Sequence, residues 1–116
     1  MSNDGIDSSA NFSSDSDIIK VFDSLSHPIR LKIMGLLFEN RYHVSELARM
    51  MNISRPLLYM HLQKLESAGL IKGIHEISHD GKAMKYYEVQ NFKYVITPTQ
   101  LFEYAKIIIE AEKRNE

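Results

Sequence analysis

Five histidines, at positions 27, 43, 61, 75 and 79, are the side chains of this sequence best suited to binding a metal or moving a proton. A polar run comprising Ser54, Arg55, Tyr59, Gln63 and Lys64 is the set best suited to hydrogen-bonding a ligand. The histidines do not combine. His75 and His79 stand four residues apart on what reads as extended chain, roughly 13 Å and too far to share an ion. His61 lies beside Leu62 in a helical pattern, where packing or a local cap accounts for it. There are no cysteines, which excludes a thiolate metal site, an iron–sulfur cluster, a disulfide framework and a cysteine nucleophile. Signals of catalysis are equally missing: no Gly-rich phosphate loop, no nucleophile elbow, and no carboxylate pair at a recognised spacing. Ser45 and His43 form a triad with an Asp only on paper. No cofactor, no metal and no catalytic residue is expected.

The polar run belongs to a segment, SELARMMNISRPLLYMHLQKLESAGLI (45–71), whose pattern positions it. A helix over about 44–51 turns Val44, Leu47, Ala48 and Met51 inward, and Ala48 is small where a second helix must cross closely. Met51-Asn52-Ile53 reads as a tight turn. Ser54 is a strong N-cap, and Pro56 is tolerated in the first turn of the helix that follows. Leu58, Leu62 and Leu65 form its apolar face, and Gly69 ends it as a left-handed residue would. The opposite face offers Arg55, Tyr59, Met60, Gln63 and Lys64 to solvent or to a ligand. The segment is a helix-turn-helix.

The remainder of the chain is one small domain around this unit; its 116 residues supply material for a single core. Residues 1–16 are rich in Ser, Asn and Asp, with only Ile6 and Phe12 as large apolar groups, and read as a disordered acidic tail. A first helix is expected from near Ser16 to Leu25. A second, 28–39, starts at Pro28, and Asn40–His43 is a short polar connection. After Gly69 the period changes from 3.6 to 2: residues 70–77 and 82–89 read as strands joined by His79-Asp80-Gly81. Thr97-Pro98 opens a last helix that is apolar nearly all round, more than one small domain can cover. Helices, a helix-turn-helix and a hairpin in this order make a mainly α (α+β) winged helix-turn-helix. Its domains are the tail (1–16), the winged helix (17–93) and a C-terminal helix (94–116).

The net charge of −1 conceals an uneven distribution: residues 1–17 carry −4, residues 18–93 carry +4, and the rest −1. A mildly basic middle permits a nucleic-acid partner without demanding one. No apolar run is long enough to span a membrane and no signal peptide is visible, so a cytoplasmic protein without a membrane partner is expected.

The pattern S-E-L-A…I-S-R-P…H-L-Q-K-L-E-S-A-G-L-I, with the upstream S-H-P-I-R-L-K-I-M-G-L-L, closely resembles the winged-helix transcriptional regulators of the ArsR type across roughly residues 17–92. The resemblance implies a sequence-specific regulator, a homodimeric repressor of a pseudo-palindromic operator in double-stranded DNA. The helix opened by Ser54 and Arg55 would enter the major groove by its N-terminal half. There Arg55 pairs with a guanine edge or a phosphate, Tyr59 donates its hydroxyl, and Leu57 meets a thymine methyl. Gln63 and Lys64 lie farther from the groove floor and would meet the backbone. His79, Lys82 and Lys85 on the hairpin would reach flanking phosphate or the minor groove; on the plainer reading, these lysines keep a strand edge soluble. Ile18, Ile19 and Phe22 of the first helix and Leu101, Tyr104, Ala105 and Ile108 of the last would form the dimer interface. Metal sensors of this type place Cys on the third helix, or Asp and His pairs on the last, and this chain has neither. Met50, Met51, Met60, Tyr86 and Tyr87 are either core filler or the lining of a pocket for an unidentified small-molecule or protein effector. A protein–protein interaction module of a larger assembly is the alternative function.

Overall fold

A computed structural model describes residues 15–114, with side chains from residue 18 onward. Most of the expected tail therefore lies outside the described residues. The element order is α1 (Asp15–Leu25), α2 (Pro28–Glu39), β1 (Tyr42–His43), α3 (Val44–Met51), α4 (Arg55–Ser67), β2 (Ile71–Ile77), β3 (Ala83–Val89) and α5 (Pro98–Arg114). The chain divides into two compact units, one formed by residues 20–90 and the other by the segments on either side of it.

Within the 20–90 unit, local chemistry sets each helix boundary. His27 caps α2 by accepting the Ile29 N–H at Nδ1 (3.1 Å), and Pro28 follows at the first position, where no N–H is needed. His43 caps α3 in a reciprocal box: its ring accepts the Glu46 N–H, and the Glu46 carboxylate accepts the His43 N–H at 3.2 Å. Asn52 closes α3 at φ 56°, the left-handed conformation that Asn tolerates. Ser54 then caps α4 through the Leu57 N–H, and Gly69 (φ 79°) turns the chain out of it.

These ends aim the leucines of α4 inward. Leu58, Leu62 and Leu65 are fully buried together with Ile33, Leu47 and Leu70, and Val21, Leu37, Val44, Ala48, Ile71 and Tyr87 complete the core. Each such side chain contributes about 1.5–3 kcal/mol relative to exposure. Three polar side chains share that interior. Arg30, 8% exposed, donates from Nε to the Ser24 carbonyl (2.6 Å) and from Nη2 to the Asp23 carbonyl (3.3 Å), satisfying the end of α1. Its Nη1 lies 2.9 Å from Nδ1 of His61, which is 4% exposed. Because a guanidinium only donates, His61 Nδ1 is the acceptor and its proton sits on Nε2. Ser24, the third, donates its hydroxyl to the Val21 carbonyl. Burial, reinforced by His27 and Arg30, pushes the His61 pKa down.

The sheet is three-stranded and antiparallel, in the order β1-β3-β2. The expected polar connection at 40–43 thus contains a strand: Tyr42 pairs with Tyr87 and His43 with Tyr86. Two residues are too few to show a period, and only β3 makes them a strand. The loop between β2 and β3 closes with Ser78 N–H to the Lys82 carbonyl (2.7 Å) and Gly81 N–H to the Ser78 carbonyl (2.9 Å). In the Asp80-Gly81 pair only Gly81 adopts a positive φ (87°), which makes this a three-residue loop with a glycine bulge. Arg41, just before β1, grips Glu76 of β2 with two hydrogen bonds (2.6 and 2.9 Å) and lies 4.6 Å from the centre of the Tyr86 ring. An exposed pair adds little stability, but its fork geometry orients the hairpin.

The other unit contains α5, and it is built differently. No residue of α5 is buried, and Leu101, Phe102, Ile107 and Ile109 are exposed, as are Val95 and Ile96 before it. Tyr104 and Ile108 are half-buried and Ala105 is exposed. At the other end of the unit Ile18 is only 3% exposed, whereas Ile19 is 53% exposed. Among the described residues no helix is long and apolar enough to cross a membrane.

Candidate nucleic-acid interface

The start of α4 and the inner edge of the hairpin face each other across an open cleft of about 340 Å³. It is lined by Arg55 and Tyr59 from α4, by Lys82, Ala83, Met84 and Lys85 from the hairpin, and by His43, Val44 and Ser45 from the start of α3. Three cations, a phenol and a hydroxyl thus share one concavity without a carboxylate among its lining residues. Its placement follows from the chain. The Asn52 turn and the Ser54 cap bring Arg55 back over α3, where its guanidinium donates to the Ser45 hydroxyl. The hydroxyl holds the guanidinium without neutralising it, so Arg55 keeps its full charge and further donors for a ligand.

Lys85 lines the cleft half-buried. Its ammonium is 5.2 Å from the centre of the Tyr87 ring, and its pKa is raised, chiefly by hydrogen bonding to Tyr87, with Glu66 contributing. Glycine at position 73 leaves room for this arrangement: a Cβ there would stand 2.5 Å from Lys85 Cε. The residues Tyr59, Gln63, Glu66, Lys85 and Tyr87 border an adjoining cleft, so Gln63 continues the same face.

The expected contact residues fall into three groups. Arg55, Tyr59, Lys82 and Lys85 are brought together, with Gln63 beside them. Ser54 and Leu57 are exposed at the start of α4, and Ser54 already caps it; His79 is exposed in the hairpin loop. Lys64 is drawn away: its ammonium pairs with Asp23 of α1 at 2.9 Å, and it lines a different cleft with Met60 and Arg30. His43 and Ser45 join the site although the sequence singled neither out as a contact. The start of α3 reaches the cleft only because β1 pins it to β3.

The suggested pocket residues do not converge: Met60 borders one cleft, Tyr87 another, and Met50 is exposed. Among the described residues no three His, Asp or Glu side chains gather as metal ligands.

Known proteins resemble this chain in sequence and in fold. The profile of the bacterial regulatory protein arsR family matches residues 27–72, which run from the cap of α2 into β2. An HTH-type transcriptional regulator of Methanocaldococcus jannaschii is 36% identical over 80 residues, covering 69% of this chain and 83% of that protein. The biofilm growth-associated repressor of Xylella fastidiosa strain Temecula1 is 29% identical over 87 residues, covering 72% of this chain and 76% of that one. Among solved structures, the homodimeric winged helix-turn-helix DNA-binding domain of a Mycobacterium bovis protein superposes with a TM-score of 0.59 at 21% identity, over 87% of this chain and 83% of that one; it shares the fold. By its sequence and its winged helix-turn-helix, this chain belongs to the arsR family of bacterial transcription regulators, a family of DNA-binding proteins rather than enzymes.

Proposed function

We propose that this regulator is a cytoplasmic homodimeric repressor that binds a pseudo-palindromic operator and blocks transcription by occupying it. The observation that carries the reading is the cleft between α4 and the hairpin, where Arg55, Lys82 and Lys85 meet with Tyr59 and no opposing carboxylate among the lining residues. A DNA backbone laid along it would meet Lys82 and Lys85, while the first turn of α4 enters the major groove. Arg55 takes a guanine edge there, Leu57 a thymine methyl, and Tyr59 a phosphate or base oxygen. Ser54 leaves the dipole of α4 and its free N–H groups facing a phosphate. Gln63 follows the backbone and His79 the flanking duplex. Lys64, held by Asp23, has no part in this interface.

Two copies are needed because a palindrome offers two half-sites roughly one helical turn apart. The apolar residues of α5 supply a surface for pairing, with Leu101 and Ala105 exposed and Tyr104 and Ile108 half-buried; on α1, Ile19 is exposed and Phe22 half-buried. Ile18, expected at this interface, is buried in the single chain and is not offered to a partner. The homodimeric structure of the Mycobacterium bovis domain and the repressor named among the relatives support the same reading.

The test is a fluorescence-anisotropy titration of a duplex from the region upstream of the protein's own gene, at stated salt, against a scrambled duplex of equal length. Specific binding should be at least about 10³-fold tighter than scrambled. Equal micromolar affinity for both duplexes would overturn the proposal.

A further inference from the structure

A second cleft, of about 450 Å³, opens on another side of α4, lined among others by Lys20, Asp23, Arg30, Gln63, Lys64 and Ser67. Three of these six are cations and one is an anion. The guanidinium of Arg30 is almost wholly buried, and its hydrogen bonds go to the Ser24 and Asp23 carbonyls and to His61, all neutral acceptors. Among the described residues no carboxylate comes within ion-pair distance of it. Asp23, whose pKa Arg30 helps to lower, is the one acidic group lining the cleft, and it makes no direct ion pair with the buried guanidinium; the two lysines at the same cleft add to the local positive potential. Lys64 shows what relieves it: its ammonium holds the Asp23 carboxylate at 2.9 Å, and that contact depresses the Asp23 pKa. Both partners are largely exposed, so the chain's own carboxylate is a weakly held occupant.

We infer that this cleft between α1, α2 and α4 is a binding site for a small organic oxyanion, a carboxylate or phosphate ester, which displaces Asp23 from Lys64. The volume suits a small metabolite. Gln63 and Ser67 offer neutral hydrogen-bonding groups for the remainder of the ligand, and Met60 an apolar wall. Met60, Gln63, Lys64 and Ser67 all stand on α4, so occupancy ties that helix to α1 and is linked to DNA affinity. That link rests on the proposed function; the site itself does not.

The experiment is calorimetric titration of the full chain with glycerol 3-phosphate and with succinate, at constant ionic strength kept with sodium chloride. Saturable binding of either compound is expected, and the one that binds identifies the oxyanion. Lys64→Gln should weaken it about tenfold or more, and Asp23→Asn, which removes the internal competitor, should tighten it. Both changes are at exposed positions and leave the core intact. Absence of saturable binding, or equal affinity in wild type and Lys64→Gln, would overturn the site. Operator affinity unchanged by saturating ligand would overturn the link to DNA alone.

Discussion

The 20–90 unit and α5 treat their apolar residues in opposite ways. In the first, Leu58, Leu62 and Leu65 are sealed against Ile33, Leu47 and Leu70, and even a buried arginine and histidine find partners. In α5, a seventeen-residue helix carrying Leu101, Phe102, Ile107, Ile108 and Ile109, no residue is buried. The first closes a core of its own, although Phe38 and Ile77 stay exposed on its surface. The contrast teaches that the helix-turn-helix closes its core within one chain, while α5 leaves its apolar residues in solvent, where the proposed dimer would cover them.

The largest effect should separate the two regions by stability. Leu62→Ala should lower the unfolding free energy by about 2–5 kcal/mol in chemical denaturation, at any protein concentration. Ile108→Ala, half-buried in the single chain, should cost more as concentration rises, because its loss is felt through association. Equal, concentration-independent losses would break the comparison. Next in size, Leu101→Glu with Ala105→Glu should convert a dimer to a monomer in sedimentation and weaken operator binding about 10²-fold, as one of two linked contacts is lost. An unchanged dimer would show that another surface pairs the chains.

A smaller effect sharpens the account of the interior. His61 accepts a hydrogen bond from Arg30 only while neutral, and burial lowers its pKa below the ordinary 6.5. In the unfolded chain it protonates near that value, so its contribution is fully present above about pH 6.5 and declines as pH falls toward the folded pKa. Thermal melts from pH 7.5 to 5.5 should show this fall. In His61→Gln, whose amide oxygen can still accept from Arg30, the fall should be shallower. Identical profiles would remove His61 as its source.

What the sequence made legible was what local chemistry decides. Ser54, Asn52, Gly69 and Gly81 each mark a cap or turn whose geometry depends on neighbours within a few residues, and the helix-turn-helix with its hairpin follows from them. The unreadable features join distant residues. β1 is a strand only because Tyr42 meets Tyr87. Arg30 finds His61 31 positions on, Arg41 finds Glu76 after 35, and Lys64 reaches back 41 to Asp23. The last of these turns Lys64 toward α1, whereas helical spacing alone puts it on one polar face with Arg55 and Gln63. The Ser45 tether on Arg55 was hidden for the same reason: a ten-residue gap spans a helix and a turn, and only the packed fold closes it.

The central claim is that the first turn of α4 reads bases while the hairpin holds phosphate. It is tested most directly by titrating Arg55→Ala and Lys82→Ala against a set of single-base variants of the operator. The account predicts that Arg55→Ala loses about 1–3 kcal/mol and its discrimination at one base position. Lys82→Ala should weaken every duplex alike and lower the salt slope by about one. Uniform loss across all duplexes for both substitutions would contradict it.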